Sequence, residues 1–301
     1  MSLFNQLIIK TLPLVPKPIV HIFAKNYIAG DTIDSAVKVT QDFAKLGGWT
    51  TIDVLGEFVT SKERALHEKS MSAKVLDAIK ENNLSTYLSV KPTSLGLGID
   101  ETFGYENVKE LVVKAKSNST FVRIDMENSP FTTKTLNLYK KLREDGYDNV
   151  GIVIQAYMKR SYDDIKSVLE YKPSIRLCKG IYNESPDIAF KGYEEVRDNF
   201  KLLLNLILDN QLYVGIATHD EELIKFGLNQ IKERKLSNDK YEYQMLLGVR
   251  EQRRNEILAL GHHLRIYVPF GVDWYGYSTR RLKENPQMAG HIVRSIFGIG
   301  N

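Results

Sequence analysis

Eight short β-branched or apolar runs, each followed by a longer stretch with helical spacing, constrain this chain more than any other feature. They are TTIDVL from Thr50, TYLSV from Thr86, FVRID from Phe121, VGIVIQA from Val150, SIRLCK from Ser174, LYVGIAT from Leu212, YEYQML from Tyr241 and LRIYVPF from Leu264. Their centres fall roughly 23 to 38 residues apart, room for one strand, one helix and two loops. Alternation of this kind is the signature of parallel βαβ units. The intervening SKERALHEKSMSAKVLDAIKENN, YENVKELVVKAKSN, SPFTTKTLNLYKKLREDG and SYDDIKSVLEY read as amphipathic helices with Ser, Asp or Asn near their starts. An open doubly wound sheet competes, but it usually has fewer strands and favours a Gly-rich turn after the first one, which is missing here. The expectation is an α/β fold, a closed (βα)8 TIM barrel. No long linker, low-complexity tract or repeat interrupts it, so residues 1–301 read as one domain. Residues 1–30 form an N-terminal helical extension in this reading, packing on the barrel or closing its lower end, and 31–301 form the barrel.

Charge and cysteine content narrow the function classes. The formal net charge of +4 is spread among interleaved acids, so no stripe could neutralise many phosphates, which argues against nucleic acid as a partner. The single cysteine, Cys178, excludes an intramolecular disulfide and any zinc site built on paired thiolates. The amino-terminal MSLFNQLIIKTLPLVPKPIV has no basic residue ahead of its apolar run and is cut by Lys10 and three prolines, unlike a signal peptide. No run of about 18 uncharged apolar residues occurs, so a spanning helix is not expected. Leu7, Ile8, Ile9, Leu12, Leu14 and Val15 beside Lys10 and Lys17 would suit a membrane surface, although packing on the protein is the commoner use of such residues. The reading is therefore a cytoplasmic chain, with peripheral membrane contact left open.

In such a barrel, functional side chains come from the carboxyl ends of the strands and the loops after them. Here that inventory is polar: Asp53 and Glu57, Lys91, Asp125 and Glu127, Gln155, Arg176 and Lys179, Thr218 with His219, Gln244, and Tyr267. Any one of them could cap a helix or point past the rim into water. Together they indicate a ligand site, because strands of Val, Ile, Leu and Tyr have no packing reason to gather charges at one end. Past the last strand, YVPFGVDWYGYSTRRLKENP sets Tyr277, Arg280, Arg281 and Glu284 at i, i+3, i+4 and i+7 on one helical face. Adjacent guanidiniums there could hold a small carboxylate while tyrosine rings cover its apolar part; a solvated helix with an Arg–Glu pair is the plainer alternative. No P-loop, GxGxxG, HExxH or GxSxG occurs, and Asp220 beside His219 reads as a helix start rather than a metal pair. No metal is expected. Cys178 reads as an ordinary small strand residue.

The strand-end motifs TIDVLGE, SVKPTS, RIDMENS, VIQAYMKR, RLCKGIY, ATHD and RIYVPFG, with the final RRLKEN, resemble those of bacterial proline dehydrogenases, from about Thr51 to Pro286. The resemblance implies a distorted (βα)8 barrel holding FAD without a Rossmann turn, and oxidation of L-proline to Δ1-pyrroline-5-carboxylate by hydride transfer from C5 to flavin N5. Electrons then pass to a quinone, and a separate pyrroline-5-carboxylate dehydrogenase takes the hydrolysed product. By motif, Arg280, Arg281 and Lys91 hold the proline carboxylate, Tyr267, Tyr277 and Leu246 line its ring, and Glu57 pairs with Arg280 as a gate. Asp125 and Arg176 match the two active-site positions beside the flavin. Met126, Gln155, Lys179, Gly180, Ile181, Thr218, His219 and Glu284 match FAD-contacting positions. Ile181 stands where the family commonly has a small residue, and Asp220 where it commonly has an amide; both bear on FAD affinity.

Two rival classes follow from the residues alone. One is a Schiff-base, aldolase-like lyase in which Lys91 or Lys179 attacks a carbonyl once desolvation lowers its pKa. The other is a non-catalytic barrel that binds an amino acid.

Overall fold

The computed structural model describes residues 25–275 together with Tyr277 and Ser278. Eight parallel strands close into a barrel in sequence order: β1 (Trp49–Val54), β2 (Thr86–Val90), β3 (Val122–Ile124), β4 (Val150–Gln155), β5 (Ile175–Cys178), β6 (Val214–Ala217), β7 (Tyr241–Leu246) and β8 (Leu264–Phe270). Closure is made by β8 returning to β1, with Thr51 opposite Tyr267 and Asp53 opposite Pro269. Seven of the eight expected runs contain their strand, and β1 starts one residue ahead of its run, at Trp49.

The helices are α1 (Ile33–Ala44), α2 (Lys62–Glu81), α3 (Glu101–Ser117), α4 (Ser129–Glu144), α5 (Ser161–Lys166), α6 (Tyr193–Asp209), α7 (Glu221–Glu233) and α8 (Glu251–Ala259). Their starts follow local chemistry. The Ser61 hydroxyl accepts from Arg64 N at 3.2 Å ahead of α2, and the Asp100 carboxylate accepts from Phe103 N at 2.7 Å ahead of α3. Pro130 occupies the first turn of α4, where its missing N–H costs nothing. The helix expected over SYDDIKSVLEY is shorter: α5 ends at Lys166, and a 3-10 turn at Leu169–Tyr171 completes the connection before Pro173.

Because side chains alternate along a strand, each strand buries one row against the helices and turns the other into the barrel. Ile52, Leu88, Ile124, Ile152, Leu177, Ile216, Tyr243 and Ile266 are buried in the outer layer. The inner row is polar. Deep in the barrel Arg265 Nε lies 2.8 Å from Glu242 Oε1 and its Nη1 donates to Thr50 O at 2.6 Å, while Arg123 donates to Ser174 O at 2.5 Å and Ile152 O at 3.1 Å. Two glycines make room for these side chains. A β-carbon at Gly151 would stand 2.5 Å from Arg123 Nη1, and one at Gly215 would stand 2.4 Å from Gln244 Nε2.

α1 packs on β1 and β8, so a helix that precedes the barrel fills the outer position between its last and first strands. Among the described residues after β8, Tyr277 is buried with Tyr27, Ile28 and Leu55. Closing of the lower end by the residues before Asp31 is overturned for the part described. Ala29 N donates to Pro269 O and Gly271 N to Gly30 O, both at 2.9 Å, which places residues 27–30 at the carboxyl end of β8. The expected helices within residues 1–24 lie outside the described residues.

Candidate active site

Five residues, at or near the carboxyl halves of their strands, converge in the barrel interior. Lys91 Nζ, just past β2, stands 2.8 Å from both carboxylate oxygens of Asp53 at the end of β1. It also reaches Tyr267 Oη at 3.1 Å and Asp125 Oδ2 at 3.4 Å. Tyr267 on β8 donates to Asp125 Oδ2 at 2.9 Å, and Arg176 Nη1 on β5 meets Asp125 Oδ1 at 2.9 Å. Ser89, two residues before Lys91 and so on the same face of β2, donates to Asp125 Oδ1 at 2.8 Å. Arg176 Nε is held by Gln244 Oε1 at 2.6 Å, and its Nη2 approaches Thr51 Oγ1 at 3.4 Å. The four central charges balance, Asp53 and Asp125 against Lys91 and Arg176, which is how they tolerate burial.

Their protonation follows from those contacts. Burial pushes the Asp53 carboxyl up to about 6, against the pull of Lys91. At Asp125 burial is outweighed by Lys91, Arg176, Ser89 and Tyr267 together, and the carboxyl falls below its ordinary value. Lys91 moves well above its ordinary value, because Asp53, Tyr267 and Asp125 outweigh the desolvation. That is the opposite of what a Schiff-base lysine needs. Burial, with Asp125 and Asp53 beside it, carries the Tyr267 phenol far up, so it stays a donor.

The expected cofactor-side residues form a second arc around β4 to β7. Gln155 Nε2 donates to Glu127 O at 2.9 Å; Met126, the residue before Glu127, and Thr218, just past β6, are both buried. Gly180 has φ +103°, and a β-carbon there would stand 2.1 Å from the Tyr157 ring, so only glycine lets the chain pass. His219 Nε2 accepts from Leu246 N at 2.9 Å, tying the ends of β6 and β7. Ile181 is 43% exposed at the rim. Cys178, expected to be buried, is half-buried, its Sγ 3.7 Å from Ile154 O.

Asp220 does two things. It caps α7, as the sequence suggests, accepting from Glu222 N at 3.1 Å. It also turns into a cluster in which Lys179 Nζ (3.0 Å), Tyr193 Oη (2.7 Å) and Arg197 Nε and Nη2 (both 2.9 Å) meet one carboxylate. Burial is outweighed there by Arg197, Tyr193 and Lys179, which hold the Asp220 carboxyl far below its ordinary value. Ser89, Thr51, Tyr193 and Arg197 were not among the sequence candidates. Ser89 carries a readable signal, its period-2 relation to Lys91; Arg197 carries none, because only the packing of α6 beside β6 and α7 brings it to Asp220. Glu57 lies just past β1 and Tyr277 is buried over the rim. Arg280, Arg281 and Glu284 lie outside the described residues. Among the described residues no cluster of three or more His, Cys, Asp or Glu could hold a metal, and no helix is long and apolar enough to cross a membrane.

A closed (βα)8 barrel whose carboxyl rim carries a buried, charge-balanced network is the architecture of an enzyme site. Comparison with known proteins narrows the class. The family model described as proline dehydrogenase matches residues 36–294. The chain is 36% identical over 273 residues to proline dehydrogenase 1 of Bacillus subtilis subsp. natto, covering 91% of this chain and 90% of that protein. It is 32% identical over 277 residues to proline dehydrogenase of Deinococcus radiodurans, covering 91% and 89%. In fold it is similar to the crystal structure of proline utilization A from Bdellovibrio bacteriovorus, with TM-score 0.85 and 22% identity, over 94% of this chain and 36% of that one. The chain belongs to the proline dehydrogenase family, and is an oxidoreductase of proline catabolism.

Proposed function

We propose that the protein oxidises L-proline to Δ1-pyrroline-5-carboxylate with FAD as its resident cofactor, the whole chain serving as one barrel domain. The observation that carries this reading is the Asp53–Lys91–Asp125–Arg176–Tyr267 network, built where a (βα)8 enzyme performs its chemistry. The donor set suits FAD: the Arg176 guanidinium, the Lys179 ammonium, the Thr218 hydroxyl, the Gln155 amide and the His219 ring lie on adjoining strand ends, and the chain at Gly180 is free of a side chain. Asp220 fits as well, because its charge is spent on Lys179, Arg197 and Tyr193 instead of standing open to phosphate. Ile181 is 43% exposed, so its side chain is not packed into the core.

In this reading Met126, Gln155, Arg176, Lys179, Gly180, Ile181, Thr218, His219 and Glu284 hold the cofactor. Forming the C=N bond of the product requires loss of a hydride from proline C5 and a proton from its nitrogen; bound FAD supplies the hydride acceptor at N5. The protein's share is orientation and charge. Arg280, Arg281 and Lys91 hold the substrate carboxylate, while Tyr267, Tyr277 and Leu246 line the ring. Lys91, raised in pKa by Asp53, Tyr267 and Asp125 against its burial, stays an ammonium throughout. Asp125 fixes both Arg176 and Tyr267, so one carboxylate sets the flavin side and the substrate side of the site. Glu57 closes over the pocket toward Arg280. A quinone removes the electrons, with contact at a membrane surface, and a separate pyrroline-5-carboxylate dehydrogenase takes the product.

The test is the visible spectrum of the purified protein. A yellow protein bleached anaerobically by L-proline supports the reading. A colourless protein that neither takes up FAD nor turns over proline contradicts it. Arg281→Met should raise the proline KM far more than it lowers flavin content.

A further inference from the structure

A line of hydrogen bonds crosses four consecutive strand ends, from the cofactor side of the site to the loop between β1 and α2. Gln155, at the end of β4, donates its amide to Glu127 O at 2.9 Å. Glu127, fully buried after β3, accepts from Thr93 N at 2.9 Å on one carboxylate oxygen and from the Thr93 hydroxyl on the other. Thr93, 1% exposed two residues beyond Lys91, accepts from Phe58 N at 2.9 Å. Phe58 N–H can only donate, so the Thr93 hydroxyl accepts there, and its one proton is directed to Glu127, which as a carboxylate receives on both oxygens.

The loop end of this line is a conformation needing support. Phe58 has φ +53°, a left-handed conformation unfavourable for a bulky residue, and one that persists only when its surroundings hold it. Its ring stands 6.2 Å from that of Phe131 at the start of α4 and 6.4 Å from that of Tyr182 after β5. The residue before it is Glu57, at the substrate side of the pocket.

We propose that Thr93 and Glu127 are positioning residues that latch the β1–α2 loop over the substrate pocket and hold Glu57 in place for proline. This deepens the proline-oxidation reading and rests on it for its substrate. Burial pushes the Glu127 carboxyl up to about 7, with the Thr93 donors offsetting part of that, so the latch holds a group kept at a cost.

Thr93→Val keeps the shape and removes the hydroxyl. Its expected signature is amide exchange in residues 56–60 at least about tenfold faster, and a proline KM about tenfold higher, the value of one hydrogen bond of roughly 1.4 kcal/mol. Flavin content stays at the wild-type level and kcat changes less than about twofold. Thr93→Ser, which restores the hydroxyl, restores both values. Should Thr93→Val fail to fold, Glu127→Gln, which keeps volume and one acceptor, is expected to speed exchange in the same residues alone. Wild-type exchange and KM in the folded Val variant overturn the proposal, as does exchange that rises evenly over the barrel or loss of Ser rescue. The exchange measurement uses no substrate, so the latch is judged even where proline fails to bleach the wild-type protein and the underlying reading falls.

Discussion

Replacing Lys91 by methionine removes the one ammonium that faces two buried carboxylates. Its Nζ stands 2.8 Å from both oxygens of Asp53, a residue 1% exposed, and 3.4 Å from Asp125. Methionine fills much of the volume, so the loss is electrostatic. Breaking a buried pair by removing one partner costs about 3–5 kcal/mol, because the other charge stays in place without its water. Asp53 can relieve part of this by taking a proton. Burial already pushes it up to about 6 with Lys91 present, and removal of the ammonium moves it higher. A carboxyl whose pKa is raised on folding binds more protons folded than unfolded, so its effect on stability worsens as pH rises from the unfolded value toward the folded one. Lys91→Met should therefore be penalised more near pH 8 than near pH 5.5. The assay is urea unfolding of flavin-free protein at both pH values, which keeps cofactor linkage out of the comparison. Asp53→Asn in the Lys91→Met background removes the orphaned charge and should recover more than about half the loss. A Lys91→Met cost below about 1 kcal/mol, or no recovery in the double variant, would refute the reasoning.

Two further substitutions test the cofactor side. Asp220→Asn keeps a residue able to cap α7 but removes the charge shared by Lys179, Arg197 and Tyr193, and should cost about 2–4 kcal/mol at neutral pH. Because Arg197, Tyr193 and Lys179 overcome burial and depress this carboxyl on folding, its stabilisation is present above the ordinary carboxylate range and lost as pH falls through the folded value. The gap between variant and wild type in urea unfolding should close in acid; a gap independent of pH speaks against the assignment. Gly180→Ala forces a β-carbon to 2.1 Å from the Tyr157 ring at φ +103°. It should cost about 2 kcal/mol or more, lowering Tm by roughly 4–8 °C together with flavin content. An unshifted Tm would show that the ring moves aside freely.

Most of the barrel could be read from the chain because strand and helix have different periods. Each apolar run coincides with its strand to within a residue or two at either end, although β3 keeps only Val122–Ile124 ahead of Asp125. Asp53, Lys91 and Asp125 were legible because each falls at or just past the carboxyl end of such a run, and Arg176 and Tyr267 because they are polar groups inside apolar runs, where burial gives a charge no reason to be unless it is paired. Arg197 was not legible, since it lies on an amphipathic helix among other charges and meets Asp220 only through the fold. Which of the two placements residues 27–30 take, packing on the barrel or closing its lower end, was not legible for a related reason. Apolar content signals that Tyr27 and Ile28 are buried, but not at which end of a barrel. Gly151 and Gly215 are clearer in hindsight, because glycine inside a strand marks close approach, here of Arg123 and Gln244.

In the proposed reaction the groups around Asp125 and Arg176 present proline C5 to a bound flavin. Single-turnover anaerobic reduction of the purified protein by L-proline, compared with L-proline deuterated at C5, measures that step alone. The account predicts a bleaching rate that saturates with proline and is severalfold slower for the deuterated substrate. Bleaching with no isotope effect at saturating proline, or an unchanged flavin spectrum, would contradict it.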